Sequence, residues 1–136
     1  MFNADESVAK IYSNNKKVFF LLKKKLPEFF NDPPVKKQQL IKAINKNRNN
    51  LKKISKIVHP EVKKNLQKFI NKNNKKKIII LDIPLLLENK LNRKDDIIIF
   101  IQSSNKEVQK RLKKRKNFDK SVLNKLKLLQ LPLIVK

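Results

Sequence analysis

An unbroken apolar run from Ile78 to Leu81 leads directly into Asp82, and Pro84 follows two residues later. Apolar residues that do not alternate with polar ones indicate a strand buried on both faces, as in a parallel sheet. Because proline lacks the N–H that a sheet ladder needs, the strand is predicted to end just before Pro84. Asp82 is therefore expected at the carboxyl end of a buried strand, the sheet edge where α/β proteins bind ligands.

Two other segments have the pattern of strands. The run DIIIFIQ from Asp96 to Gln102 predicts a second buried strand, and Phe2 is read as the last residue of a third. If the strands are parallel, Asp5 and Asp82 lie at the same edge of the sheet. Buried strands alternating with helices predict an α/β layer structure. Because so few strands do not make a stable sheet, we expect the sheet to be incomplete at both ends of the chain.

Apolar residues at helical spacing predict helices over most of the remaining chain. The predicted helices are one capped by Asp5, Lys17–Lys25, Val35–Asn45, Leu51–Val58, one beginning at Pro60, Glu107–Lys114 and Ser121–Gln130. Pro60 is expected to separate two helices, because the residue before a proline avoids the helical region. Ser104 and Glu107 have the spacing of a capping box.

Five phenylalanines lie on apolar helical faces and do not alternate with basic residues on a strand. They are therefore predicted to be core residues rather than a platform for base stacking. These residues are Phe19, Phe20, Phe29, Phe30 and Phe69.

The net charge of +24 suggests binding to nucleic acid or another anionic surface. Lysine greatly outnumbers arginine, however, and the excess of lysine, asparagine and isoleucine extends along the whole chain. Coding bias in an AT-rich genome produces this composition, whereas base-reading proteins and phosphate clamps usually rely on arginine. We attribute the charge mainly to such bias and expect no nucleic-acid partner, with a basic nucleic-acid-binding module as the alternative.

The residue types that the sequence lacks also restrict its function. Without glycine, these residues contain no Gly-rich phosphate loop, and asparagine is expected at positions of positive φ. The absence of cysteine excludes disulfides and cysteine-based zinc sites and agrees with a reducing compartment. The sequence shows neither a signal-peptide pattern nor an apolar stretch of about 18 residues. We therefore expect a cytoplasmic protein with no membrane partner.

Three carboxylates close to the predicted strand ends are candidates for chemistry. Asp5 and Asp82 have the position to accept a proton from a hydroxyl group or to help hold Mg²⁺. Glu88 follows Asp82 after the IPLLL turn and has a similar potential. Position alone favours a helix cap for Asp5, and a solvated turn is the simpler interpretation of Glu88.

The basic candidates are the single histidine and a pair of arginines. His59 is placed to hydrogen-bond a ligand, although a lone histidine at a helix end is more often a structural cap. Arg111 and Arg115 are four residues apart and share a helix face, which suits a phosphate clamp. The lysines around them fit a solvated basic face equally well.

Short segments spaced along nearly the whole chain resemble the dephospho-CoA kinase family. They are N-A-D at 3–5, V-K-K-Q-Q-L at 35–40, I-V-H-P-E-V at 57–62, L-D-I-P-L-L-L-E at 81–88, R-L-K-K-R at 111–115 and Q-L-P at 130–132. In the same order, the family has D-A-D, a basic residue before leucine, I-x-H-P-x-V, V-x-D-x-P-L-L-F-E, a lid helix and Q-M-P. The D-I-P-L-L-L-E run with H-P upstream and R-x-x-x-R downstream is the specific part of this resemblance.

The resemblance implies an α/β fold, a three-layer P-loop NTPase-like parallel sheet with helical acceptor-binding and lid segments. Residues 1–136 would form a single partial domain, with the lid in residues 105–130. The implied reaction transfers the γ-phosphoryl group of ATP to the ribose 3′-hydroxyl of dephospho-CoA, with Mg²⁺. A P-loop kinase acting on a nucleoside or nucleotide is the alternative within the same fold.

The resemblance also implies roles for individual residues. Asp5 would be the base close to the acceptor hydroxyl, because it matches the second acid of D-A-D. Arg111 and Arg115 would belong to the lid that closes over the phosphates. The residues implied to surround the acceptor are Lys37, His59, Asp82 and Glu88, of which Asp82 is also the candidate for contact with Mg²⁺.

The sequence departs from the family pattern at several positions. Asn3 replaces the first acid of D-A-D, Lys37 stands where arginine is more usual, and Leu126 stands where the family has an arginine before Q-M-P. The G-x-x-x-x-G-K-[ST] loop that cradles the phosphates and the final strand are not among these residues. We therefore expect a fragment, a mis-started reading frame or a decayed copy of a kinase, which binds ATP poorly and is inactive in this form.

Overall fold

A computed structural model describes residues 1–114 and residue 123 of the chain. In chain order, its elements are β1 (Phe2–Asn3), α1 (Ala4–Asn14), α2 (Lys16–Lys25), α3 (Lys37–Lys46), α4 (Arg48–Lys72), β2 (Leu81–Asp82) and α5 (Asn105–Lys113). The chain divides into two compact units, the first from Met1 to Pro84 and the second from Leu85 onward. The first unit contains both strands and α1 to α4, and α5 belongs to the second.

The two strands are parallel neighbours, with Phe2 opposite Leu81 and Asn3 opposite Asp82. The backbone N–H of Phe2 also donates to the carbonyl of Ile80 at 2.8 Å. The pairing confirms both the strand predicted before Pro84 and the parallel strand predicted to end near Phe2. Since parallel strands end at a common edge of the sheet, Asn3 and Asp82 lie together where α1 begins.

A small apolar core supports this edge from the side of α4. Phe2, Ala4 and Leu66 are buried together at its centre. The half-buried side chains packed around them are Val62, Phe69, Ile70, Leu81 and Ile83. Full burial of a large apolar side chain contributes about 1.5–3 kcal/mol, so this contact with α4 is the main support for two such short strands.

The other helices of the first unit, α1, α2 and α3, each pack against α4. Their shared interior consists of buried apolar side chains, among them Ile11, Val18, Phe19, Leu22, Phe30, Ala43, Ile44, Ile54 and Val58. The predicted core positions of Phe19 and Phe30 are confirmed, and Phe29 and Phe69 are half-buried. The prediction for Phe20 was wrong, because its side chain is 63% exposed on the outer face of α2.

Asparagine begins three of these helices. The side-chain oxygens of Asn3, Asn15 and Asn47 accept hydrogen bonds from backbone N–H groups at the starts of α1, α2 and α4. This is the arrangement of an N-cap, which satisfies an N–H that the helix leaves unpaired. The expected use of asparagine at positive φ was wrong for the described residues, in which Leu85 and Lys90 take that conformation.

The predicted break at Pro60 was wrong. Residues Arg48–Lys72 form one helix of 25 residues, with Pro60 inside it. A proline within a helix removes one backbone hydrogen bond and costs about 3 kcal/mol. Here buried side chains lie on both sides of the proline, with Ile54 and Val58 before it and Leu66 after it, so both halves of the helix pack within the first unit.

Two predictions about buried strands were also wrong. Ile78 and Ile80 are 81% and 60% exposed, because β2 has β1 as its one partner strand among the described residues. The segment 97–104 forms neither helix nor strand, and Ile97 is 93% exposed. An apolar run becomes a buried strand only if other strands and helices cover it, and no described strand pairs with this segment.

The second unit confirms the helix predicted after Ser104. The hydroxyl of Ser104 accepts a hydrogen bond from the N–H of Glu107 at 3.2 Å, which is half of the predicted capping box. Residues 85–90 form turns. The helix predicted over Ser121–Gln130 lies outside the described residues apart from residue 123. Among the residues that the structure describes, no helix is both long and apolar enough to span a membrane.

Candidate functional site

The edge formed by Asn3 and Asp82 is the best-defined polar feature among the candidate residues. The side-chain amide of Asn3 donates a hydrogen bond from Nδ2 to Oδ2 of Asp82, with a donor–acceptor distance of 2.9 Å. At its other end, Oδ1 of Asn3 accepts from the N–H of Glu6 at 3.0 Å. One side chain therefore joins the carboxyl end of β2 to the first turn of α1.

Asp5 lies in the first turn of α1, two residues beyond Asn3. The interpretation of Asp5 as the helix cap was wrong, because Asn3 has the extended backbone and the hydrogen bond that define the N-cap. Asp5 is exposed, and a negative side chain in the first turn is favoured by the helix dipole. Its carboxylate is thus available at the end of the sheet to which Asp82 belongs.

His59 and Lys37 occupy other parts of the first unit. His59 is exposed within α4, so it is not at a helix end, and Lys37 is the exposed first residue of α3. Among the described residues, no hydrogen bond or ion pair joins either side chain to Asp5 or Asp82. The structure therefore brings together Asp82 and the start of α1. A contribution of His59 and Lys37 to the site stays a prediction.

The remaining candidates belong to the second unit or lie outside the residues that the structure describes. Glu88 is half-buried in the turns after Leu85. Arg111 lies on α5, where its guanidinium is 3.5 Å from the carboxylate of Glu107, one turn earlier. Both of these side chains are more than 60% exposed, so the ion pair contributes little to stability. Arg115 is outside the described residues.

The carboxylates of the described residues do not form a preassembled metal site. No group of three or more histidine, aspartate or glutamate side chains that could hold an ion occurs in the described part of the chain. Proteins, however, commonly bind Mg²⁺ through one or two carboxylates together with waters and phosphate groups. The exposed carboxylate of Asp82 fits that more limited role.

Asn3 was not recognised as a site residue from the sequence, where it appeared only as a departure from an acidic position. The signal that identifies it is the strand register, which places position 3 opposite position 82. Register depends on contacts between distant parts of the chain, so the sequence of either segment alone does not reveal it.

Comparisons with known proteins identify the class to which this arrangement belongs. The sequence model of the family described as "Dephospho-CoA kinase" matches residues 1–133. Proteins named dephospho-CoA kinase from the Wolbachia of Brugia malayi and from Wolbachia pipientis wMel are 32% and 31% identical to the chain over 97% and 96% of its length. One from Bartonella henselae is 30% identical over 76% of the chain.

These matches place the chain by descent in a class of phosphotransferases, and its parallel strands and helices form the α/β arrangement that its sequence predicted. It belongs to the dephospho-CoA kinase family, which implies the P-loop NTPase fold. The matches cover 68% of each Wolbachia protein and 53% of the Bartonella protein. The chain thus spans about half to two-thirds of the length of these relatives.

Proposed function

We propose that the chain provides the acceptor side of a dephospho-CoA kinase, which transfers the γ-phosphoryl group of ATP to the ribose 3′-hydroxyl of dephospho-CoA. The observation that carries this proposal is the parallel pairing of Asn3 with Asp82. The pairing brings Asp82 beside the start of α1, whose first turn bears Asp5, and this supports a shared role of the two carboxylates at one hydroxyl group. Family membership supplies the identity of the acceptor.

In this proposal Asp5 accepts or orients the proton of the 3′-hydroxyl as the oxygen attacks phosphorus. Phosphoryl transfer depends on alignment and charge neutralisation more than on covalent chemistry with the protein, and one exposed carboxylate is sufficient for that task. Lys37 and His59 then contact the acceptor, and Glu88 lies on the acceptor side. Arg111 and Arg115 approach the phosphates as part of a lid in residues 105–130.

Asp82 is the residue that we propose for contact with Mg²⁺, directly or through a water molecule. When bound, the ion neutralises charge on the β- and γ-phosphates of ATP. Because the 136 residues include no glycine, the glycine-rich loop that cradles those phosphates is not among them. We therefore expect these residues alone to bind ATP weakly and to bind the acceptor better.

The proposal is tested first by binding. Titration calorimetry of the chain with dephospho-CoA, with adenosine and with a nucleoside monophosphate should show preference for dephospho-CoA. Preference for adenosine or the monophosphate would instead support a nucleoside or nucleotide kinase, and absence of any binding would contradict the acceptor role.

The second test concerns turnover. If the codons upstream of Met1 encode G-x-x-x-x-G-K-[ST] in frame, the extended protein should form coenzyme A from dephospho-CoA and Mg-ATP. A well-folded extended protein that carries this loop and phosphorylates only other acceptors would overturn the assignment.

A further inference from the structure

The hydrogen bond between Asn3 and Asp82 requires the side-chain amide at position 3. Nδ2 of Asn3 donates to Asp82, while Oδ1 accepts from the N–H of Glu6. An aspartate at position 3 would retain the second bond, since aspartate and asparagine are comparable N-caps. It would lose the first, because an ionised carboxylate has no proton to donate.

The register of the two strands gives a second reason why position 3 needs an amide rather than an acid. Asn3 and Asp82 are direct partners on neighbouring parallel strands, so an aspartate at position 3 would face Asp82 with the same charge. Like charges at such a pair repel, whereas a donor that meets a carboxylate forms a charge-assisted hydrogen bond. Asn3 and the carboxylate of Asp82 therefore suit each other in a way that an acid at position 3 does not.

We propose that Asn3 is a positioning residue that fixes the orientation of the Asp82 carboxylate and couples it to the first turn of α1. The hydrogen bond holds one oxygen of Asp82 toward β1. It thereby determines how the carboxylate is presented to a ligand at the sheet edge. The value of this orientation for acceptor binding rests on the proposed function, whereas the orientation itself does not.

Three variants of the full chain separate the contributions of the amide, the charge and the cap. Asn3→Ser keeps a capping oxygen and adds no charge, but its shorter side chain lacks the amide group that donates to Asp82. Asn3→Asp keeps the cap, loses the donor and adds like charge. The double variant Asn3→Asp with Asp82→Asn exchanges the two groups, so that the amide at position 82 can donate to the carboxylate at position 3.

The first measurement is the side-chain rotamer of Asp82, from three-bond Hα–Hβ couplings in NMR spectra. The wild-type chain should give the couplings of a single χ1 rotamer, and Asn3→Ser should give averaged couplings. The side-chain NH₂ signals of Asn3 should in addition shift when Asp82 is changed to alanine. Averaged couplings in the wild-type chain, or unchanged couplings in Asn3→Ser, would overturn the proposal.

The second measurement is the equilibrium constant for unfolding in denaturant. Asn3→Ser should favour unfolding by about threefold to tenfold, as expected for the loss of one partly exposed hydrogen bond. Asn3→Asp should favour it further, and the exchanged double variant should recover most of the loss that Asn3→Asp causes. If the effects of the two single changes simply add, the double variant will be no more stable than their sum predicts. That result would contradict a direct interaction between the two residues.

The third measurement is affinity for dephospho-CoA. A well-folded Asn3→Ser chain should bind about threefold to tenfold more weakly, consistent with the loss of one orienting hydrogen bond. The exchanged variant should recover stability but not affinity, because its carboxylate is on the wrong strand. If the wild-type chain does not bind dephospho-CoA, the proposed function fails, and the rotamer and unfolding measurements still decide whether Asn3 positions Asp82.

Discussion

The rings of Phe2 and Phe69 pack against each other with their centroids 5.6 Å apart and their planes inclined by 50°. This contact joins β1, which ends at the candidate site, to the C-terminal half of α4. A tilted aromatic pair contributes about 0.5–1.5 kcal/mol beyond the burial of its area. The position of Asn3 therefore depends on a helix that contributes no side chain to the Asn3–Asp82 hydrogen bond.

We expect Phe69→Ala to lower the free energy of unfolding by about 2 kcal/mol, less than the 3–5 kcal/mol typical of a fully buried phenylalanine because Phe69 is half-buried. Denaturant unfolding provides the measurement. Phe20→Ala is a matched control, since Phe20 is 63% exposed, and it should cost clearly less. Equal losses in the two variants would show that the Phe2–Phe69 contact does not support the strand.

Asp5→Asn should lower turnover of the loop-bearing, extended protein by about 10²–10⁴-fold, the usual contribution of a general base. The binding constant for dephospho-CoA should change little, because the substitution keeps the size and polarity of the side chain. The measurement is the rate of coenzyme A formation under saturating Mg-ATP. Glu6→Gln, an exposed neighbour in the same helical turn, is the control and should retain its rate. An Asp5→Asn enzyme with full turnover would exclude the role of base.

Pro60→Ala should stabilise the chain, because alanine restores an N–H donor to the backbone in the interior of α4. Alanine is favoured over proline in a helix interior by up to about 3 kcal/mol, and a gain of about 1–2 kcal/mol is expected if the helix has partly adapted to the proline. The unfolding midpoint in urea measures the gain. Lys63→Ala, an exposed change on the same helix, should shift it much less. A destabilised Pro60→Ala chain would indicate that the packing of α4 depends on the proline.

The sequence predicted features that depend on neighbouring residues, such as the end of β2 before Pro84 and the start of α5 after Ser104. The predictions were wrong where contacts between distant parts of the chain determine the structure. Pro60 was read as a helix boundary because the burial of Ile54 before it and of Leu66 after it is not visible in the local pattern. The run 97–101 was read as buried because an apolar pattern does not specify whether another strand covers it.

At the candidate site, too, features that depend on neighbouring residues were predicted, and a feature that depends on distant contacts was not. Asp82 was proposed as a site residue because it follows an apolar run, and Asp5 because it lies where a strand was expected to meet a helix. Their common edge followed from the assumption of parallel strands. Asn3 was missed because its importance arises from its register with Asp82 and from the two hydrogen bonds of one side chain. No property of residues 2–5 alone predicts that partner.

The last prediction concerns Tyr12, whose backbone carbonyl accepts a hydrogen bond from Val35 at 3.1 Å. Burial disfavours the charged tyrosinate and raises the pKa of Tyr12 to about 12 from its ordinary value of 10.0. Between these two values the unfolded chain loses the proton while the folded chain keeps it. The contribution of Tyr12 to stability is therefore complete below pH 10 and is lost as the pH rises toward 12, by an amount on the order of 2–3 kcal/mol.

Tyr12→Phe removes this titration and provides the comparison that the experiment needs. All other ionisable groups are common to both proteins, so the difference between the two unfolding free energies isolates Tyr12. The wild-type chain should lose stability relative to Tyr12→Phe from pH 10 upward, when both are unfolded in urea at a series of pH values. Unfolding free energies that change in parallel over this range would show that the Tyr12 hydroxyl titrates alike in the folded and unfolded chains.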